Sequence, residues 1–294
     1  MDSPIQISSG QLTAEIHPLG AQLFSLRDGA GHDLQWHGDP AVWKGRAPIL
    51  FPIVGALAQG QYRLDGHSYS LSRHGFARDR LFALVEASPA GALFRLDWDE
   101  ETFRLYPFRF QFDLHFAVTD ATLRMTATVR NLDEDTTLPA SVGFHPALRW
   151  PLPYGEPRAA HFLEFEKDEP APIRRLDAQG LLSPQNFATP VRGRRLELRD
   201  ELFTADAIIF DNIASRRLSF GAEKGPRIEI EFPGMPYLGV WTKPGAGFIC
   251  IEPWHGIADP TGFSGDFAAK PGIALLAPGT ERTFAMSITL KRTP

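Results

Sequence analysis

Between residues 108 and 118 apolar and polar side chains alternate without a break. In "FRFQFDLHFAV", Phe108, Phe110, Phe112, Leu114, Phe116 and Val118 share one face, and Arg109, Gln111, Asp113 and His115 share the other. A period of two is the mark of a strand with one buried face. "TDAT" then predicts a turn, and Leu123, Met125, Ala127 and Val129 resume the alternation, so the pair predicts an antiparallel hairpin. "QYRLDGHSYSL" predicts a second hairpin around Asp65-Gly66, a pair suited to a turn with positive φ at both centres. "SLRDGAGHDLQW" repeats that idea around Asp28-Gly29. "RIEIEF" turns Ile228, Ile230 and Phe232 inward, and "RTFAMSITLK" is a further strand. The only stretch that suits a helical turn is "RDELFTADA", and it is brief.

The 26 glycines and 25 prolines punctuate the whole chain instead of gathering in one linker. With no repeat of fixed period and no compositional break, these features predict an all-β fold. The expected architecture is one large antiparallel β-sandwich domain over residues 1–294. An apolar content of 43% is enough for a sizeable core. The net charge of −5 argues against nucleic acid and anionic membranes, which both reward basic patches. One cysteine, Cys250, precludes an internal disulfide and suits a reducing compartment. The start "MDSPIQISSG" lacks the pattern of a signal peptide, and no apolar run is long enough to span a bilayer. The expectation is a soluble, cytoplasmic protein.

Three segments embed polar residues among Gly, Pro and aromatics. "RHGFARDR" carries His74 and Arg78, which also suit a solvated loop with an ion pair to Asp79. "SVGFHPAL" holds His145 before Pro146, which forces the histidine into an extended conformation at a strand end. For a histidine taken alone, a buried ring bonded to neighbouring backbone is the better account. In "FICIEPWHGIADPTGFSGDF", Glu252 follows an apolar run that Pro253 and Trp254 are expected to close. A carboxylate at the end of a buried strand is costly unless it is paired or used, and Trp254 beside it suits stacking against a sugar. One carboxylate, two imidazoles and an arginine can perform acid/base chemistry near neutral pH. There is no phosphate-binding glycine loop, HExxH or paired-cysteine motif, so no metal or cofactor is expected.

At these segments the chain resembles the aldose 1-epimerase (mutarotase) superfamily, most closely its LacX-type branch. "WKGRAPILFPIVGAL", "RHGFARDRLF", "GFHPAL", "LFTADAIIF" and "CIEPWHGIADPTGFSGDFAAKPGIALLAPGT" match in order, from about residue 43 to 280. The resemblance implies a β-supersandwich and interconversion of the α and β anomers of a pyranose aldose. It implies Glu252 as general base on the anomeric hydroxyl and His145 as the acid that protonates the ring oxygen. His74 matches the second family histidine, which hydrogen-bonds near that oxygen. Asp206 matches an aspartate that holds sugar hydroxyls, and Arg46 and Arg78 look like further pocket residues. Trp241 or Trp254 is expected to line the pocket, and the neighbouring carboxylate is expected to hold the pKa of His145 up. Galactose mutarotases proper usually carry asparagine where this chain has Gly143, which bears on sugar preference. A related branch acts on hexose 6-phosphates, so Arg46 and Arg78 have phosphate as an alternative partner. A non-catalytic carbohydrate-binding sandwich is the remaining alternative, since fold alone does not separate it from an enzyme.

Overall fold

The computed structural model describes residues 3–292. Every pairing between its strands is antiparallel, and the parallel contacts are isolated bridges such as Phe51 with Gly75. The largest sheet has nine strands, with the hairpin Phe110–Thr119 and Thr122–Asn131 near its middle and Glu281–Lys291 beside it. All six residues of the apolar row from Phe108 to Val118 are buried, and so are Leu123, Met125, Ala127 and Val129. Ile228, Ile230 and Phe232 likewise face inward. Phe51 stacks on Phe112 with ring centroids 4.3 Å apart, joining this sheet to a second one. The result is a β-sandwich, and no helix among the described residues is long and apolar enough to cross a membrane.

The second sheet positions the site. Its strands include Ile208–Phe210, Tyr237–Trp241, Phe248–His255, Val142–Phe144 and Ile49–Leu50, paired in that order, and Ala147–Arg149 also pairs with Phe248–His255. Alternation assigns the two faces. Ile49, Val142, Phe144, Ile208, Leu238, Val240, Ile249 and Ile251 join the main core. Gly143, Ile209, Gly239, Trp241, Glu252 and Trp254 therefore share the other face.

Several local expectations need correction. The Asp65-Gly66 turn is as expected, with φ of 49° and 80°. The Asp28-Gly29 turn is wider: the amide of Asp28 bonds the carbonyl of His32, and Gly31, not Gly29, takes the positive φ, at 86°. The Asp28 carboxylate organises this loop by accepting from the amides of Ala30 and His32. "RDELFTADA" holds only a 3₁₀ turn at Asp200–Phe203, whereas the α-helix among the described residues is Glu100–Leu105. Asp99 caps that helix by accepting from the Thr102 amide, and the Thr102 hydroxyl accepts from the Asp99 amide in return.

Candidate active site

Pro253 and Trp254 do not close their strand, which runs on to His255. The residues that pair with it explain what happens instead. Gly143 pairs with Trp254 on one side of an interruption and Ala147 pairs with Cys250 on the other, in one common register. Counting inward sets Phe144 opposite Pro253, His145 opposite Glu252 and Pro146 opposite Ile251. Neither proline has an N–H to give, so between the two paired stretches the ladder opens, thinned to one long bond from the Ile251 amide to the Pro146 carbonyl. His145 and Glu252 face each other across that opening, with His145 Nε2 3.1 Å from Glu252 Oε2. Both residues are buried.

Above the pair lies a cavity of about 370 Å³. Glu252, His145 and His74 all line it, although they come from distant parts of the chain. Arg78, Asp206, Trp241 and Trp254 line it as well. The Trp43 indole stacks on the His145 ring at 5.4 Å, and Trp241 meets both rings edge-on. His74 stands edge-on to His145 at 5.9 Å. Its Nδ1 accepts a hydrogen bond from the Gly55 amide, so in the neutral ring the proton is on Nε2. Asp206 occupies a left-handed turn, and Arg175 clamps that turn by donating to the carbonyls of Asp206 and Leu202.

Arg46 does not line the cavity. Its guanidinium stacks 3.7 Å above the Phe24 ring and donates to the Phe24 carbonyl, which holds it elsewhere. Arg73 takes part in its stead, beside Arg78, whose guanidinium donates to the Arg73 carbonyl. The ion pair of Arg78 with Asp79 is loose at 3.6 Å. Sequence reasoning also missed Trp43. Its signal was an aromatic at the head of "WKGRAPI", the same segment that drew attention to Arg46.

Burial governs the charges here. It pushes the Glu252 carboxyl well above the usual carboxylate range, while the nearby Trp254 indole opposes the rise and Asp206 adds to it. Burial pulls His145 down to about 3, with Arg78 contributing. It also takes His74 well below the ordinary imidazole value, helped by His145, Arg78 and Arg73. The expectation that the carboxylate holds His145 up is therefore overturned. Desolvation outweighs the attraction because both partners are out of water. Burial thus favours the neutral form of each partner, a protonated Glu252 and an uncharged His145. Ligating atoms of His145, Cys250 and Glu252 lie within 4.8 Å of one another, but burial holds the Cys250 thiol protonated, which makes it a poor metal ligand.

This β-sandwich, with a buried histidine–glutamate pair in the floor of an aromatic-walled cleft, has a galactose mutarotase-like fold. The chain belongs to the aldose 1-epimerase family, whose model matches residues 3–289. It is 31% identical to the chromosomal Protein LacX of Lactococcus lactis subsp. lactis over 283 residues, 93% of this chain and 95% of that protein. A galactose mutarotase related enzyme from Lactobacillus acidophilus superposes with a TM-score of 0.90 at 28% identity, covering 98% of this chain and 97% of that one. A galactose mutarotase-like protein from Lactobacillus casei also gives 0.90, at 29% identity, covering 98% and 100%.

Proposed function

We propose that the chain, folded as one domain, is an aldose 1-epimerase that interconverts pyranose anomers by opening and reclosing the ring. The observation that carries this reading is the 3.1 Å contact between His145 Nε2 and Glu252 Oε2 beneath an accessible cavity. A binding module needs partners for hydroxyls but has no use for a buried, proton-sharing acid/base pair. In ring opening, Glu252 takes the proton of the anomeric hydroxyl, O1 becomes the aldehyde oxygen, and the C1–O5 bond breaks. O5 keeps the bonding electrons and takes a proton from His145. Rotation about C1–C2 presents the other carbonyl face, and the reverse steps close the ring as the opposite anomer.

The resting pair carries the proton on the other member, so transfer from Oε2 to Nε2 must precede opening when a pyranose arrives. An open-chain sugar meets the pair already set for closure, with Glu252 able to protonate O1 and His145 able to accept from O5. Both forms belong to one cycle, and the direct contact exchanges them. Neutral His74 serves as a donor through Nε2–H. Freshly dissolved α-glucose and α-galactose should therefore lose their excess rotation faster with the protein than in buffer. Tight sugar binding with no gain in rate would favour the carbohydrate-binding alternative.

The sign of the pH dependence follows from the shifts. Below neutrality kcat/KM should hold until the pair gains a second proton, which the low value of about 3 for His145 delays. On the alkaline side it should fall as the pair loses its only proton, at a pH well above the usual carboxylate range because Glu252 is raised. An acid limb with its midpoint near 6 would contradict this protonation scheme.

A second reading, a hexose 6-phosphate as substrate, is favoured by Arg73 and Arg78 on the cavity wall, though no longer by Arg46. Two guanidinium groups suit a phosphate. If it holds, glucose 6-phosphate should show a higher kcat/KM than glucose, and Arg73→Met should reduce only the former. Equal use of both sugars would remove this reading.

A further inference from the structure

Trp254 is buried, and its indole N–H makes no hydrogen bond of ordinary length among the described residues, although it lies near enough to Glu252 to pull that carboxyl's pKa down. An unspent buried donor is costly, so its retention calls for a physical reason. The neighbouring strands make room for this ring in an unusual way. A β-carbon at Gly143 would come within 2.8 Å of Trp254 Cδ1, and one at Gly239 within 2.3 Å of Cζ2. The N–H lies between those two edges of the indole, so the ring spans the strand from one glycine to the other. Gly239 is the direct pairing partner of Glu252, and Trp254 shares the carboxylate's face two residues on. The leaning ring thus brings its donor edge toward the row that Glu252 occupies. Gly143 has no room for a side chain beneath this ring, with Leu50 and Val54 crowding the same spot.

We propose that Trp254 is a positioning residue for Glu252, its indole N–H closing onto the carboxylate whenever that group ionises, and that Gly143 and Gly239 are small so that the ring can lie there. The inference rests on the acid/base reading of Glu252. The proton transfer from Glu252 to His145 creates a carboxylate in a dry site. A waiting donor stabilises that form at the moment it appears and costs no reorganisation. Its loss raises the pKa of Glu252 further and makes the reactive ion pair rarer. Other groups face Glu252 as well: His145 across the opening, Asp206 from its loop and Cys250 on its own strand. Beyond His145 stand His74, Arg73 and Arg78. None of them is altered by removing an indole N–H.

The test is Trp254→Phe, which removes the donor and keeps an aromatic ring over both glycines. The Glu252 carboxyl is followed by carbon-13 NMR, with Glu252→Gln used to assign its signal. Its titration midpoint should rise by about one to two pH units, the loss expected for one hydrogen bond to a charged group. The alkaline limb of kcat/KM should move up with it, and kcat should fall about tenfold or more with little change in KM. The wild-type protein offers a readout that does not depend on the variant's folding. The Trp254 indole N–H resonance should shift downfield with the same midpoint as the carboxyl. An unmoved midpoint in Trp254→Phe, or an indole signal indifferent to the carboxyl's titration, overturns the proposal. If wild type fails to mutarotate while the titrations behave as stated, the functional reading falls and the hydrogen bond stands.

Discussion

Glu252→Gln should lower kcat by roughly 10²–10⁴-fold, the range expected when a general base is removed. Glutamine keeps the shape of the side chain and an acceptor toward His145, but it cannot take the proton of O1. KM should change little, because a neutral sugar hydroxyl does not require a charged partner. His145→Asn should produce a loss of similar size by leaving O5 without a proton. The double variant should be only slightly worse than either single one, since His145 Nε2 and Glu252 Oε2 exchange one proton across 3.1 Å and neither works alone. Polarimetry of the three variants, with sugar binding measured in parallel, decides the matter. Near-wild-type mutarotation by Glu252→Gln would remove the acid/base assignment altogether.

The part of this site that was legible in the sequence is the part that backbone chemistry dictates. Period-two alternation assigned the inward row from Phe108 to Val129, and Pro146 set His145 at a strand end. Pro253 was misread for an instructive reason. A proline normally ends or edges a strand, but here it falls opposite Phe144 in the gap between two paired stretches, so the ladder is interrupted on that side only while Pro253 stays paired with Leu238 on the other. That same coincidence opens the ladder at His145 and Glu252, and it depends on two segments more than a hundred residues apart. Long side chains were less legible. Arg46 and Arg78 occupy similar motifs, yet Arg46 is captured by the face and carbonyl of Phe24, a residue no local pattern links to it. The protonation of His145 was illegible as well. A nearby carboxylate raises an imidazole only while solvent or other donors support both charges, and burial at this depth reverses the sign.

Stability should depend most sharply on a pair that sequence reading passed over. Lys270 and Asp259 form an ion pair with side chains 0% and 4% exposed. Burial lowers the pKa of Lys270 against the attraction of Asp259, so each charge is tolerated only because of the other. Lys270→Met should destabilise the protein by about 3–5 kcal/mol in urea unfolding, since it strands a carboxylate in the interior. Combining it with Asp259→Asn should restore much of the loss. The amide carries no charge and can still accept from the Ala58 amide, as Asp259 Oδ2 does at 2.9 Å. A double variant as unstable as Lys270→Met would mean that the lysine acts through packing and not through charge. The consequence reaches the cavity. The amide of Asp259 bonds the carbonyl of Ala56, its carboxylate bonds the amide of Ala58, and Gly55 just before them donates to His74 Nδ1. Asp259 thus anchors the segment on which His74 is seated, and Lys270 holds Asp259 in place. Folded Lys270→Met should therefore also lose activity, whereas the charge-free double variant should regain it together with its stability. Recovery of stability without recovery of rate would show that the orientation of His74 does not pass through this pair.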